Sequence, residues 1–256
     1  METKQQIVSD WLHRYTGKPA ESFGKYILLT NFYKYVSKFA ELTGTQVEGK
    51  DKVMASATHE GISIINFGIG SPNAALIMDL LMAAEPEAVL FLGKCGGLKK
   101  RNQIGDFILP IGAIRGDGTS DDYLPKEVPA LPSFALQRAI SSTIRDNDLS
   151  YWTGTVFTTN RRVWEHDKKF KAHLKKVRAY AIDMETATLF TVGFHNRIPT
   201  GALLLVTDQP MIPEGVKSMA QDEENKRIYD QNHVQIGIDS LKQLINNGET
   251  IRHLKF

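Results

Sequence analysis

Two acidic residues stand where chain geometry can bring reactive groups together. Glu185 lies in Ala-Ile-Asp-Met-Glu-Thr-Ala-Thr (residues 181–188), where a short apolar strand hands over to a helix. Asp208 follows the apolar run 201–206 and Thr207. Open α/β sheets bind ligands at the carboxyl ends of their strands, so both carboxylates are expected to face one crevice. An acid at a dry strand end can protonate a leaving group when burial raises its pKa toward working pH. Asp208 fits that role, and fits equally a loop cap before Pro210. A carboxylate such as Glu185 can accept two adjacent hydroxyls in a fork, the pattern of the 2′ and 3′ hydroxyls of ribose. At a helix start it also serves simply to stabilise the helix dipole. Met184 offers a soft apolar surface to a sugar's carbon face, or ordinary core packing. Asp183 reads as an N-cap rather than a catalyst.

Cations complete the constellation. Gly93-Lys94-Cys95-Gly96-Gly97, after the buried run 88–92, has the grammar of an anion-binding loop: glycines let backbone N–H groups converge and Lys94 adds a point charge. Gly70, in the Gly-rich opening of a helix, is counted with it. Arg161 and Arg162 form a positive pair near a strand end, suited to a phosphate monoester or to a solvated basic turn. Phe157 is the favoured platform for a flat base and Trp164 the second choice, although either ring also suits a core. Cys95 has no histidine paired with it and reads as packing. The histidines, His233 among them, show no metal-ligand spacing, so neither metal nor cofactor is assigned.

The elements that must position these residues follow from periodicity. Strands are predicted at 26–30, 52–56, 62–67, 88–92, 106–111, 154–158, 180–182 and 201–206. Helices are predicted at 31–42, 74–84, 134–145, 184–195 and 228–246, with Ser71 as the cap of the second. Residues 1–24 read as an extension with a short helix, and 25–256 as one catalytic domain. Residues 117–132, with three prolines, are the best candidate for a mobile or intersubunit segment. Alternating strands and helices imply an α/β three-layer sandwich, with a central mixed, mostly parallel sheet flanked by helices. Net charge is +2, which gives no global argument for nucleic acid or membrane binding. One cysteine, no signal-like N-terminus and no long apolar stretch lead to the expectation of a cytoplasmic globular protein.

Taken in order, residues 26–34, 68–73, 93–98, 154–164, 182–188 and 204–210 resemble the motifs of the nucleoside phosphorylase-I superfamily. Within it the chain is most similar to the AMP nucleosidase family. Gly-Lys-Cys-Gly-Gly-Leu (93–98) resembles that family's Gly-His-Cys-Gly-Gly-Leu, and 153–160, 181–188 and 233–238 have close counterparts. The resemblance implies cofactor-free hydrolysis of AMP to adenine and ribose 5-phosphate in a homo-oligomer, with a hexamer as the implied assembly. It implies Asp208 as the acid, Glu185 and Met184 as the ribose site, and Lys94, Gly70, Arg161 and Arg162 as the phosphate site. Phosphorylases hold their attacking phosphate with arginines whose places here read Phe91 and Phe32, which favours water as nucleophile. Longer AMP nucleosidases carry an N-terminal regulatory domain that some 25 residues cannot form, so a short catalytic-core form is expected. Two readings stay open beside this one: a nucleosidase or phosphorylase acting on unphosphorylated purine nucleosides, and a non-catalytic nucleotide-binding protein.

Overall fold

Each apolar strand run separates its side chains between two faces, and that alternation builds the protein. The computed structural model describes residues 3–212, 215 and 224–246. Its elements are α1 (Lys4–Thr16), β1 (Tyr26–Thr30), α2 (Tyr33–Thr43), β2 (Ser56–His59), β3 (Ile62–Asn66), α3 (Ser71–Leu80), β4 (Ala88–Gly97), β5 (Phe107–Gly116), α4 (Phe134–Asp146), β6 (Tyr151–Thr159), α5 (Lys168–Lys176), β7 (Ala181–Asp183), α6 (Thr186–His195), β8 (Thr200–Asp208) and α7 (Glu224–Asn246). Ile27, Leu29, Phe91 and Leu204 point into one core with α1, α3 and α6. Their neighbours Leu28, Leu90, Leu203 and Leu205 point into the other, with α2, α4 and α7. Helices therefore cover both faces of a mixed, mostly parallel sheet, as the pattern predicts. The N-terminal helix is part of the same packing: Val8 and Leu12 of α1 are buried in the first core.

The sheet order is β2-β3-β1-β4-β7-β6-β5-β8, and β4 also pairs with β8. That extra pairing closes β4, β8, β5, β6 and β7 into a ring. Strand β4 is parallel to β8 through Cys95↔Val206, then slips to Gly96↔Asp208, leaving Thr207 as an extra residue. Such a bulge bends the strand and re-aims the side chains beside it; here those belong to Thr207 and Asp208.

Three local expectations give way. Residues 93–97 are not a loop, because β4 runs through them. Gly93 is required by close approach: a Cβ there would stand 2.4 Å from the Phe91 ring and 2.8 Å from Leu204. The hairpin is present, but its first arm is Ser56–His59 rather than 52–56. A two-residue turn at Glu60 and Gly61, both with positive φ, fixes which residues can pair. Ser71 does not cap α3; Gly70 holds that position and Ser71 is the first helical residue.

The segment expected to be mobile is tied down. Arg115, at the end of β5, donates to the carbonyl oxygens of Ser120, Leu124, Pro125 and Val128 and to Asp121. Asp117 accepts from the Ser120 backbone N–H and hydroxyl and from Thr188 of α6. Arg115→Met should therefore cost roughly 2–4 kcal/mol, since several part-buried carbonyls lose their donor together. Arg115→Lys should not rescue it, because one ammonium cannot reproduce the fork. Thermal unfolding checks this: a melting temperature within a degree of wild type would mean another group holds the loop.

Candidate active site

The carboxyl ends of β1, β4, β6, β7 and β8 meet around a cleft of about 280 Å³. Lys94, Cys95 and Gly96 come from β4, Ile182 and Asp183 from β7, and Thr207 and Asp208 from β8. Asn31 and Phe32 follow β1, and Arg161, Arg162, Trp164 and Glu165 follow β6. Met184 and Glu185 close one side, at the start of α6. The rule that strand ends collect ligands thus brings Asp208 and Glu185 to one cavity, where their roles can be separated by environment.

Glu185 is nearly fully buried. Its Oε1 accepts the Gly70 N–H at 2.7 Å, and Oε2 faces the Met184 N–H at 3.3 Å. Gly70 reaches it with φ 97°, a conformation only glycine adopts freely. So this N–H is engaged by the Glu185 carboxylate, and Gly70 is tied to Glu185 rather than to the cations of the cleft. Burial, and then the charge of Asp183, push the Glu185 pKa up to about 8. Burial also raises Asp183, but four donors fill its lone pairs: the Thr158 hydroxyl, the Thr186 N–H and hydroxyl, and the Glu185 N–H. Those donors favour the ionised form of Asp183, so of the two carboxyl groups Glu185 is the one that holds its proton more tightly. Glu185, not Asp183, holds the N-cap position of α6, and the Asp183 carboxylate accepts the N–H groups of Glu185 and Thr186 from two residues before that position.

Met184 is half-buried on the cleft wall, its carbonyl held by the Ser71 hydroxyl at 2.8 Å. Asp208 is also half-buried and lies beside Thr207, whose hydroxyl is 3.3 Å from Oδ1. Cys95 is a free, buried thiol whose pKa is raised by burial and then by Asp183 and Asp208.

The cations divide into floor and rim. Lys94 is buried on the floor, 2.7 Å from Asp230 of α7 and over the Phe32 and Tyr35 rings. Arg161 and Arg162 are at the rim, beside Asp167 and Glu165. Phe157 is not brought to the cleft. Its ring packs edge-on against Phe170 and His173 in a small separate core. It fills space over Gly116, where a Cβ would come within 2.4 Å of it. The aromatic side chains that do line the cleft are Phe32 and Trp164.

Sequence reasoning missed Asn31, Thr159 and Glu165 on the cleft wall and, against Lys94, Tyr35 and Asp230. Among the described residues, no group of three or more His, Cys, Asp or Glu side chains is placed to hold a metal ion, and no helix is long and apolar enough to cross a membrane.

Comparison with known proteins agrees with this architecture. The chain is 31% identical over 294 residues to the AMP nucleosidase of Escherichia coli (strain K12), a match covering 95% of this chain and 60% of that one, so it spans about 60% of the length of that relative. It is 27% identical to the uridine phosphorylase of Treponema pallidum (strain Nichols), over 72% of this chain and 73% of the relative. Among solved structures, the AMP nucleosidase from Bacteroides thetaiotaomicron VPI-5482 superposes with TM-score 0.86 at 53% identity, covering 96% of this chain and 99% of that one. The purine nucleoside phosphorylase from Toxoplasma gondii shares the fold, with TM-score 0.81 at 18% identity, over 90% and 95% of the two chains. The profile of the phosphorylase superfamily matches residues 25–245, and with two strand-end carboxylates over one cleft the chain belongs to that superfamily.

Proposed function

We propose that this protein hydrolyses AMP to adenine and ribose 5-phosphate. One observation carries the reading: Asp208, Glu185 and the arginine pair line a single cleft, as an acid, a sugar-binding carboxylate and a phosphate-binding rim would. Asp208 in its acid form protonates N7 of the base as the C1′–N9 bond lengthens, so that adenine leaves neutral. Glu185, ionised once ribose donates to it, holds the 2′ and 3′ hydroxyls and steadies the positive charge growing on the ring. Met184 lies against the sugar. Water adds to C1′, and its released proton restores Asp208. Trp164 and Phe32 replace Phe157 as the aromatic surfaces for the base. Arg161 and Arg162 take the 5′-phosphate; both are exposed and lightly paired, free to turn toward a dianion. The E. coli and B. thetaiotaomicron relatives support AMP as substrate by the activity in their names. A homo-oligomer, hexameric by expectation, completes the proposal, and the free thiol of Cys95 suits a cytoplasmic setting.

The assay is release of free adenine from AMP and from adenosine, with and without inorganic phosphate. AMP should be cleaved at least about tenfold more efficiently than adenosine, because one charge-assisted hydrogen bond is worth roughly 1.5–3 kcal/mol. Converting Arg161 and Arg162 to methionine should erase that advantage while sparing cleavage of adenosine. Equal efficiency on both substrates would favour a nucleosidase for unphosphorylated nucleosides. Binding of AMP without adenine release would favour a non-catalytic nucleotide-binding protein.

A further inference from the structure

The floor of the cleft holds a cation with a carboxylate fixed against it. Lys94 Nζ lies 2.7 Å from Asp230 Oδ1, with the two side chains 10% and 14% exposed. The ammonium also sits over the rings of Phe32 and Tyr35, at 4.7 and 5.1 Å from their centroids.

Asp230 is anchored in turn through a chain of hydrogen bonds. His233 Nε2 is 2.9 Å from the Leu203 carbonyl oxygen of β8, which can only accept, so the ring proton is on Nε2. Burial keeps the imidazole neutral, with its pKa lowered to about 3. Nδ1 is therefore an acceptor, 2.9 Å from the Tyr35 hydroxyl. That hydroxyl is also 3.2 Å from Asp230 Oδ1 and has one proton for the two acceptors. Asp230 is thus held between the Tyr35 hydroxyl on one side and the Lys94 ammonium on the other. Opening such a pair separates two opposite charges in a low dielectric, which a weakly held ligand cannot offset. The rim arginines differ, since their side chains are 47% and 64% exposed.

We infer that Asp230 is a specificity-determining residue: by holding Lys94 it denies inorganic phosphate a seat on the cleft floor, so that water, and not phosphate, reaches the anomeric carbon. This inference rests on the hydrolase reading. The charge of Asp183 in the same cleft further disfavours a second dianion there, whereas water carries no charge to repel. With water, the C1′–N9 bond breaks, a C1′–O bond forms, the base keeps the proton from the acid, and the water's proton returns to it. With phosphate in that seat, the new bond would join C1′ to a phosphate oxygen.

The test is calorimetric titration of inorganic phosphate into the wild-type protein, Asp230→Asn, and Asp230→Asn combined with Lys94→Met. The amide keeps the shape and the acceptor for Tyr35 but removes the charge that claims Lys94. Phosphate affinity should rise about tenfold or more in Asp230→Asn, the weight of one added charge-assisted hydrogen bond. It should fall back in the double variant. With AMP and excess phosphate, Asp230→Asn should also form ribose 1,5-bisphosphate. Asp230→Ser, which is smaller, carries the same expectation if the amide disturbs folding. Equal phosphate affinity in wild type and Asp230→Asn would overturn the inference, as would a gain that persists without Lys94. Phosphate binding is read without turnover, so a wild-type protein inactive on AMP would defeat the hydrolase reading separately.

Discussion

Replacing Asp208 by asparagine should lower kcat for AMP cleavage by roughly 10²–10⁴ and leave nucleotide affinity nearly unchanged. The amide keeps the size and hydrogen bonding of the carboxyl group but has no proton to give. Without that proton adenine must leave as an anion, and the loss falls almost wholly on the transition state. The placement of Asp208 sharpens the expectation. It sits directly after the bulge at Thr207, at the mouth of a strand whose preceding residues are buried core. Were Asp208 only a loop cap, the asparagine variant would melt earlier while turning over AMP normally per folded molecule. Measuring kcat, affinity and melting temperature together separates the two. Near wild-type turnover would end the acid assignment.

Glu185→Gln should reduce kcat/KM for AMP by roughly 10²-fold, because two charge-assisted hydrogen bonds to ribose become neutral ones. The loss should shrink for 2′-deoxy-AMP, which lacks one of the hydroxyls. A second signature is in pH. The folded-state pKa of Glu185 is about 8, against an ordinary 4.5, because the group is buried. The folded protein therefore holds this proton more tightly than the unfolded chain does. The stability it contributes is complete below about pH 4.5 and is lost as pH climbs toward 8. Glu185→Gln removes that loss, so its melting temperature should gain on wild type steadily from pH 5 to 8. Substrate hydroxyls stabilise the ionised form, so kcat/KM should rise toward an apparent pKa near 8, with the limb of kcat displaced to lower pH. A constant gap in melting temperature across that range would show that Glu185 is not the titrating group.

The parts of the site legible in the sequence are those fixed by local pattern. An apolar strand ending in an acid locates Asp208, and a strand-to-helix junction locates Glu185; both depend only on neighbours in the chain. The layered α/β arrangement follows from the same alternation. What escapes is set by contacts between distant segments. Glycines at 93–97 look like a loop because glycine is usually needed for φ, whereas Gly93 is needed to clear the Phe91 ring and Leu204. Phe157 looks free to stack on a base until Gly116 and Phe170 are placed around it. Asp230 carries no local signal at all: residues 230–233 read as a polar stretch, and its importance comes from Lys94, on a strand far back in the chain. Residues 117–132 look mobile by composition, yet one arginine supplies donors for their carbonyls.

The closure of the strand ring has a consequence for how the molecule is made. Val89 pairs with Thr200 and Cys95 with Val206, partners more than a hundred residues apart. Bringing such segments together costs loop entropy before any contact repays it, which places this pairing among the slow events of folding. On a ribosome, β4 is synthesised long before β8, and its second edge stays open while the chain between them is made. The buried apolar run 88–92 then presents an unpaired border, the kind of surface on which chains associate wrongly. Asp208, the last residue of β8, emerges with it, so a nascent chain has no cleft before β8 has been made.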